Sequence, residues 1–190
     1  MRGDMATKRS KKHLVWIDCE MTGLDAEQDV LLEIATIITD YELEIVARGP
    51  VLAIRQSEAR LKSMNAWNRS THGKSGLTER VRNEGVPLEE AERLTLNFVK
   101  RWCYKKTAPL CGNSIGQDKR FLIHYMPQLI DFLHYKVVDV SSIKVLVNEW
   151  YGGRYCPPPK KDLHQALADI EESIAELDYY KRNVFVRSGP

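Results

Sequence analysis

The sequence lacks the features of a membrane protein, a disulfide-stabilised protein or a disordered chain. No stretch approaches the roughly 18 apolar residues of a membrane-spanning helix, and there is no internal repeat or low-complexity segment. The first residues contain no apolar core before a cleavage site, so we expect no secretory signal and no membrane partner. With 190 residues, 43% hydrophobic and 28% charged, the composition predicts one globular domain.

The cysteines argue against a structural zinc site. Cys19, Cys103, Cys111 and Cys156 form no C-x-x-C pair and no Cys/His spacing typical of zinc ligands. Scattered cysteines in a chain without a signal predict free thiols in a reducing compartment. We therefore expect a cytoplasmic protein, with a mitochondrial location as the alternative because the first residues are basic.

Positive charge is concentrated at the N-terminus. Residues 1–12 carry five Lys and Arg against one Asp, a net charge of +4, whereas the whole chain is +2, so the remainder sums to −2. The body thus lacks a broad basic face for long duplex DNA, and a nucleic-acid substrate would depend on local contacts or metal ions. We expect a flexible basic tail at 1–12, a single domain at 13–186 and a short second tail at 187–190.

Hydrophobic patterning predicts an α/β fold. The element order β-β-β-α-α-β-α-β-α-α predicts a mixed five-stranded sheet flanked by helices, and ligand sites in such sheets lie beyond the carboxyl ends of the strands. Residues 152–162 contain Gly-Gly and three prolines and are predicted to form a loop. The strands are predicted at 13–18, 31–39, 43–54, 108–111 and 137–140, and the helices at 57–67, 87–104, from about 117, from 141 or 142 to 151, and from about 163.

Two carboxylates stand at the end of the first predicted strand. Asp18 and Glu20 are two residues apart, so a strand projects both side chains to the same side. Such a pair repels, and either one carboxylate protonates or a divalent cation removes the penalty. The pattern D-x-E alone is common and equally describes two solvated loop acids.

Further candidates lie at predicted helix starts. Asp118 opens a helix, where a first-turn acid would also be favoured by the helix dipole. His164 and Asp169 flank the start of the last helix and, taken singly, each is equally typical of a surface position. Taken together, four carboxylates without a cysteine favour hard ions such as Mg²⁺ or Mn²⁺. A pair of such ions about 3.5–4 Å apart serves phosphodiester cleavage, with a histidine as the base.

Three motifs carry a resemblance to a known superfamily. They are W-I-D-C-E-M-T-G-L (16–24), G-N-S-I-G-Q-D-K-R-F-L (112–122) and H-Q-A-L-A-D-I (164–170). Together they resemble the motifs of the DEDDh 3′→5′ exonucleases, and the chain is similar to the oligoribonuclease family from about His13 to Phe185. The resemblance implies an RNase H-like fold and a 3′→5′ exoribonuclease that degrades RNA of two to five nucleotides, dinucleotides above all, to 5′-mononucleotides.

By motif match, the resemblance implies a role for each candidate. Core packing remains the alternative for Leu24 and Trp67, and a plain loop histidine the alternative for His72. Two divalent cations, Mn²⁺ or Mg²⁺, would be held by Asp18, Glu20, Asp118 and Asp169, and the general base would be His164. Leu24 would wedge between two bases, and a base or sugar would be contacted by Trp67 and His72. The backbone phosphate would be contacted by Ser114 and Gln117.

The resemblance also implies a homodimer in which one subunit reaches into its partner's site. Tyr135 would edge that site as a catalytic residue, and Lys136 with Ser141 or Ser142 would cap the 5′ phosphate, which would limit substrate length. Position 136 is lysine where the family often has arginine, so a planar bidentate fork is lost. Ala168 stands where a second aspartate is common, while Asp169 keeps the ligand register.

Two other functions stay open. One is a proofreading or processing exonuclease that prefers longer DNA or RNA. The other is a non-catalytic nucleic-acid-binding module, which loss of a metal ligand would have favoured, although all four are present. Rates against substrate length separate the first from a short-RNA exonuclease, and an Asp118→Ala variant with full activity would favour the second.

Overall fold

A five-stranded mixed sheet forms the centre of the molecule, in the strand order β3-β2-β1-β4-β5. The computed structural model describes residues 9–159 and 165–185. β1 pairs antiparallel with β2, which pairs antiparallel with β3, while β4 and β5 run parallel to β1. This arrangement confirms the predicted mixed five-stranded sheet. The strands are β1 (His13–Met21), β2 (Leu31–Asp40), β3 (Ile45–Ala53), β4 (Leu110–Gly112) and β5 (Val137–Asp139).

The helices flank this sheet, and the described residues form more of them than the sequence predicted. The single helix predicted at 57–67 is two helices, because Met64 is extended and Asn65 caps a new helix by accepting the Asn68 N–H at 2.8 Å. Two further short helices, α3 and α6, were not predicted. The helices are α1 (Glu58–Ser63), α2 (Ala66–Lys74), α3 (Leu77–Asn83), α4 (Leu88–Trp102), α5 (Ile115–Tyr125), α6 (Pro127–Phe132), α7 (Val140–Tyr151) and α8 (Ala166–Asn183).

The central strand β1 is apolar on both sides because both sheet faces are covered. Val15 and Ile17 point into a cluster formed with α4, α5 and α6. Leu14 and Trp16, on the alternate side, point into a second cluster formed with α7 and α8. Trp16 is fully buried, and its indole N–H donates to Thr39 Oγ1 at 2.9 Å. The sheet therefore has no solvent face along its middle strand, and a polar site must lie at its ends.

The last residues of the predicted basic tail, 1–12, already contact the folded domain. Ser10 already contacts the body, since its backbone N–H donates to the Trp102 carbonyl at 3.0 Å. Residues 1–8 and 186–190 lie outside the described residues, so the two predicted tails stay predictions. Across the described ranges, no helix is both long and apolar enough to cross a bilayer.

Replacing Thr39 by valine should destabilise the fold by about 1–3 kcal/mol, because the buried indole N–H of Trp16 would lose its acceptor. Urea unfolding measures the loss. Thr36, on the same strand and equally buried, is the matched control, since its hydroxyl has no hydrogen-bond partner among the described residues. Thr36→Val should leave stability unchanged or raise it, and equal losses in both variants would contradict this account.

Candidate active site

The carboxyl end of β1 brings three carboxylates together. Asp18 and Glu20 follow Trp16 on the same side of the strand, the side covered by α8. The first turn of α8 supplies Asp169. One ligand oxygen from each of the three carboxylates lies within 4.8 Å of the other two. Residues that are about 150 positions apart in the sequence thus meet at one point.

Asp118 joins this group through the backbone of β1. It lies in the first turn of α5, is 7% exposed, and accepts the Cys19 backbone N–H at 3.0 Å. That N–H lies on the edge of β1 that faces β4, where Val15 donates to the Pro109 carbonyl. Because β4 ends at Gly112, the Cys19 N–H has no strand partner there. The Asp118 carboxylate takes that place, next to Asp18.

Burial and mutual repulsion raise the pKa values of these acids. Burial, and then the charges of Asp169, Glu33 and Asp118, raise the pKa of Glu20 to about 8. Burial and the neighbouring carboxylates, Asp118 first among them, hold the pKa of Asp18 well above its usual range. Burial raises the pKa of Asp118 to about 7, against the opposing effect of the Cys19 N–H. An all-oxygen set that resists ionisation without a counter-charge fits a divalent cation, as the sequence predicted.

A polar network that the sequence motifs do not reveal fixes the start of α8. The Asn113 side-chain amide donates to Ser173 Oγ at 2.7 Å, and that hydroxyl donates to the Asp169 carbonyl at 2.8 Å. Asn113 also donates to the buried carboxylate of Glu176 at 3.2 Å. The turn that leads from β4 into α5 therefore also holds the helix that carries Asp169. Its signal in the sequence is the amide between two small residues in G-N-S.

A constrained loop presents Leu24 at the mouth of the site. The Leu24 side chain is 73% exposed, and the Gln117 side-chain amide donates to its carbonyl at 2.5 Å. Asp29 closes the loop by accepting the Thr22 hydroxyl at 2.9 Å and the Asp25 N–H at 3.0 Å. A Cβ on Gly23 would lie 2.3 Å from the Asp29 carboxylate, so any larger residue would displace this carboxylate from its two hydrogen bonds. Core packing is excluded for Leu24.

Helix α2 supplies a second apolar surface and a buried histidine. Trp67 is 61% exposed, so it is not a core residue. His72 is buried, its Nε2–H donates to the Met21 carbonyl at 3.0 Å, and its Nδ1 lies 3.9 Å from Glu20 Oε2. The structure thus places His72 beside a candidate metal ligand rather than on an open loop. Its predicted contact with base or sugar stays a prediction.

The serines proposed for phosphate contact lie at the ends of β4 and β5. The Ser114 N–H contacts both Asp139 Oδ1 at 3.0 Å and Ser141 Oγ at 2.9 Å. The two serine hydroxyls are 3.0 Å apart. Ser114 has a positive φ of 50°, a strained conformation that these contacts hold. The structure therefore brings Ser114 and Ser141 together at the same sheet edge as the carboxylates.

Tyr135 and Lys136 lie at the opposite edge of the sheet. They precede β5, whose carboxyl end, with Asp139, shares the edge of Asp18. Tyr135 is 75% exposed and stacks on His134 with ring centroids 4.5 Å apart. The structure does not bring these two residues to the clustered carboxylates of their own chain. His164, the predicted general base, lies outside the described residues.

Comparison with known proteins relates the chain to one family. Residues 15–177 match the RNase T family model, which is described as Exonuclease. The protein named Oligoribonuclease from Paracidovorax citrulli is 52% identical over 178 residues, 94% of this chain and 92% of that protein. That of Pseudoalteromonas atlantica is 53% identical over 92% of this chain and 96% of that protein. A probable oligoribonuclease from Dictyostelium discoideum is 51% identical over 94% of this chain and 93% of that protein.

Solved structures of exonuclease I share the fold. A zinc-bound complex of the E. coli protein with single-stranded DNA has a TM-score of 0.71 at 14% identity, over 93% of this chain and 41% of that chain. Exonuclease I from Methylocaldum szegediense gives 0.69 at 16% identity, over 90% of this chain and 41% of that chain. This chain spans about two fifths of those chains. At such identities the likeness shows the fold alone, and it confirms the predicted RNase H-like architecture.

The metal-free protein should lose stability as the pH rises from about 5 to 8. With the pKa of Glu20 near 8 and that of Asp118 near 7, the folded state retains protons that the unfolded chain releases above its ordinary carboxylate pKa. The stabilisation from these protons is complete below about pH 4 and is lost as the pH rises through the folded-state values. Urea unfolding in the presence of EDTA measures this dependence.

Two substitutions, one in the acidic cluster and one outside it, test the origin of this pH dependence. Asp118→Asn should flatten the pH dependence, because the amide oxygen still accepts the Cys19 N–H but carries no charge. Glu149→Gln removes an exposed acid on α7 and should leave the dependence as in the parent protein. An unfolding free energy that stays constant or increases over this range would contradict the repulsion among the buried acids.

Proposed function

Because the chain belongs to the oligoribonuclease family of 3′→5′ exoribonucleases, which degrade short oligoribonucleotides, we propose that its four clustered carboxylates form a two-metal hydrolytic centre. The observation that carries this proposal is the meeting of Asp18, Glu20 and Asp169 oxygens within 4.8 Å, with Asp118 held beside them. The ions proposed are Mg²⁺ or Mn²⁺, since every donor is a hard oxygen. The products proposed are 5′-mononucleotides.

The proposed metal ligands are held in place by hydrogen bonds from other parts of the fold. Two divalent cations held by Asp18, Glu20, Asp118 and Asp169 would supply activation of the attacking water and stabilisation of the leaving oxygen. Asp118 is oriented by the Cys19 N–H, and Asp169 is held by the Asn113 and Ser173 network. A backbone N–H thus orients the Asp118 carboxylate, and two side chains hold the backbone of Asp169, before the substrate arrives, which reduces the reorganisation needed during reaction.

We assign the general base to His164, on the motif H-Q-A-L-A-D-I that it shares with the superfamily. His164→Ala should lower kcat by about 10²–10⁴, measured with a dinucleotide and saturating Mn²⁺. The expected rate also falls at acidic pH as the imidazole becomes protonated. A variant that turns over as fast as the parent would remove His164 from this role.

Contacts with the substrate are proposed on exposure and position. Leu24 and Trp67 present apolar surface to solvent from two separate supports, a loop and a helix, and stacking on such surfaces tolerates any base. His72 is proposed to contact base or sugar from its place beside Glu20. Ser114 and Gln117, at the start of α5, are proposed to contact the backbone phosphate.

A homodimer is proposed to complete the site. Tyr135 precedes β5, at the end of the strand opposite to the carboxylates, and is largely exposed, which supports a contact with the site of a second chain. On helix α7 the residues Val145 and Trp150 are 67% and 69% exposed. Apolar exposure of this kind is typical of a protein interface. In a two-fold dimer each Tyr135 and Lys136 would enter the partner's site, where Lys136 and Ser141 cap the 5′ phosphate.

A length series tests the proposed substrate. With 5′-labelled RNAs of two to ten residues and Mn²⁺, the dinucleotide should be hydrolysed fastest, because a 5′ phosphate cap excludes longer chains. Asp18→Asn is the control and should be inactive at every length. Faster turnover of the ten-residue RNA would favour an exonuclease for long strands, and an intact dinucleotide after long incubation would count decisively against the proposal.

Mixed dimers test the shared site. Tyr135→Ala and Asp18→Asn should each be nearly inactive alone, but mixing them should restore roughly a quarter of the parent activity. In a heterodimer, the chain with an intact Asp18 receives Tyr135 from its partner. Mixtures of Asp18→Asn with Glu20→Gln, two defects in the same centre, should recover nothing. Failure of the first mixture despite subunit exchange would place Tyr135 outside the active site.

A further inference from the structure

A fifth carboxylate lies next to the metal ligands, and the proposed chemistry gives it no role. Glu33 of β2 is paired in register with Glu20 of β1, and residues directly opposite on neighbouring strands project to the same face. Glu33 is 1% exposed. A buried charge in this place is costly unless a counter-charge is supplied.

Arg80 of α3 supplies that counter-charge. Its Nη1 lies 2.6 Å from Glu33 Oε1, outside hydrogen-bond geometry, so the contact is a close ion pair rather than a bidentate fork. About a third of the Arg80 side chain is exposed, so the ion pair joins a partly exposed guanidinium to a buried carboxylate. Two divalent cations would balance four carboxylates, and Arg80 balances the fifth.

The helices α2 and α3 dock on the sheet at the same place. Asn68 donates to the Thr22 carbonyl at 2.7 Å, and His72 donates to the Met21 carbonyl. The Arg80–Glu33 ion pair is a third polar link, to the neighbouring strand. Helix α3 therefore brings a cation to the buried acid of β2, next to helix α2, which carries Trp67.

We propose that Glu33 and Arg80 are positioning residues for Glu20, an inference that rests on the proposed metal centre. Glu33 retains the Arg80 guanidinium, so that this cation does not pair with Glu20 and compete with the metal ion. Arg80 in turn neutralises Glu33, so that this carboxylate does not draw an ion away from Glu20. Each residue thus keeps the charge of the other out of the ligand set.

This arrangement predicts different effects of the two single substitutions on Mn²⁺ affinity. Glu33→Gln leaves a cation unpaired beside the ligands and should weaken Mn²⁺ affinity roughly tenfold. Arg80→Met leaves an added negative charge and should not weaken the affinity. The double variant should return to within about threefold of the parent, and Arg80→Lys, which keeps the charge, should behave like the parent.

The experiment measures Mn²⁺ binding to the whole chain by electron paramagnetic resonance of the free ion, with thermal unfolding alongside. Arg82→Met and Glu58→Gln are the matched controls, because they remove an exposed ion pair involving the same helix and should leave Mn²⁺ affinity unchanged. A pair that only stabilises the fold would lower the melting temperature in both single variants without changing Mn²⁺ affinity, and that result overturns the inference.

Mn²⁺ binding to the parent protein distinguishes a wrong positioning role from a wrong metal centre. If the parent protein binds Mn²⁺ and the double variant fails to recover the affinity lost in Glu33→Gln, the positioning role is overturned and the metal centre stands. If the parent protein binds no Mn²⁺, the metal centre is overturned and the positioning role with it. Should Arg80→Met not fold, Glu33→Gln against Arg80→Lys still decides, because only the former is expected to weaken binding.

Discussion

The early end of β4 is the constraint on which the site depends. A three-residue strand covers only the first half of the facing edge of β1, so the Cys19 N–H needs an acceptor from elsewhere. Asp118 provides it, and this brings a carboxylate from one side of the sheet to the two carboxylates that β1 projects toward the other side. The chain turns into α5 at the same point, so strand termination, helix start and ligand placement have one cause.

Much of the fold and the choice of candidate metal ligands followed from local patterns. Period-two alternation and apolar runs gave the five strands, and spacing with motif resemblance singled out Asp18, Glu20, Asp118 and Asp169. Short helices escaped prediction because α2, α3 and α6 have only six to nine residues and depend on caps and tertiary contacts.

Contacts between residues that are distant in the sequence could not be predicted from local patterns. Glu33 stands within an apolar strand, which marks it as unusual, but nothing in the sequence points to Arg80 as its partner. Asn113 and Ser173, 60 positions apart, are equally unconnected until the sheet and α8 are assembled. The strand directions were also needed to place Tyr135 relative to the carboxylates. Because β4 and β5 are parallel, a residue that precedes β5 lies at the opposite end of the sheet from residues that follow β4.

The exposure of Leu24 and Trp67 has a thermodynamic consequence. Both side chains keep well over half of their surface in water while no base lies against them. Enclosing a nucleotide between the loop and the helix would remove this apolar surface from solvent, and such desolvation lowers the heat capacity of the system. The enthalpy of association would therefore become more favourable on warming, while its entropic contribution declines.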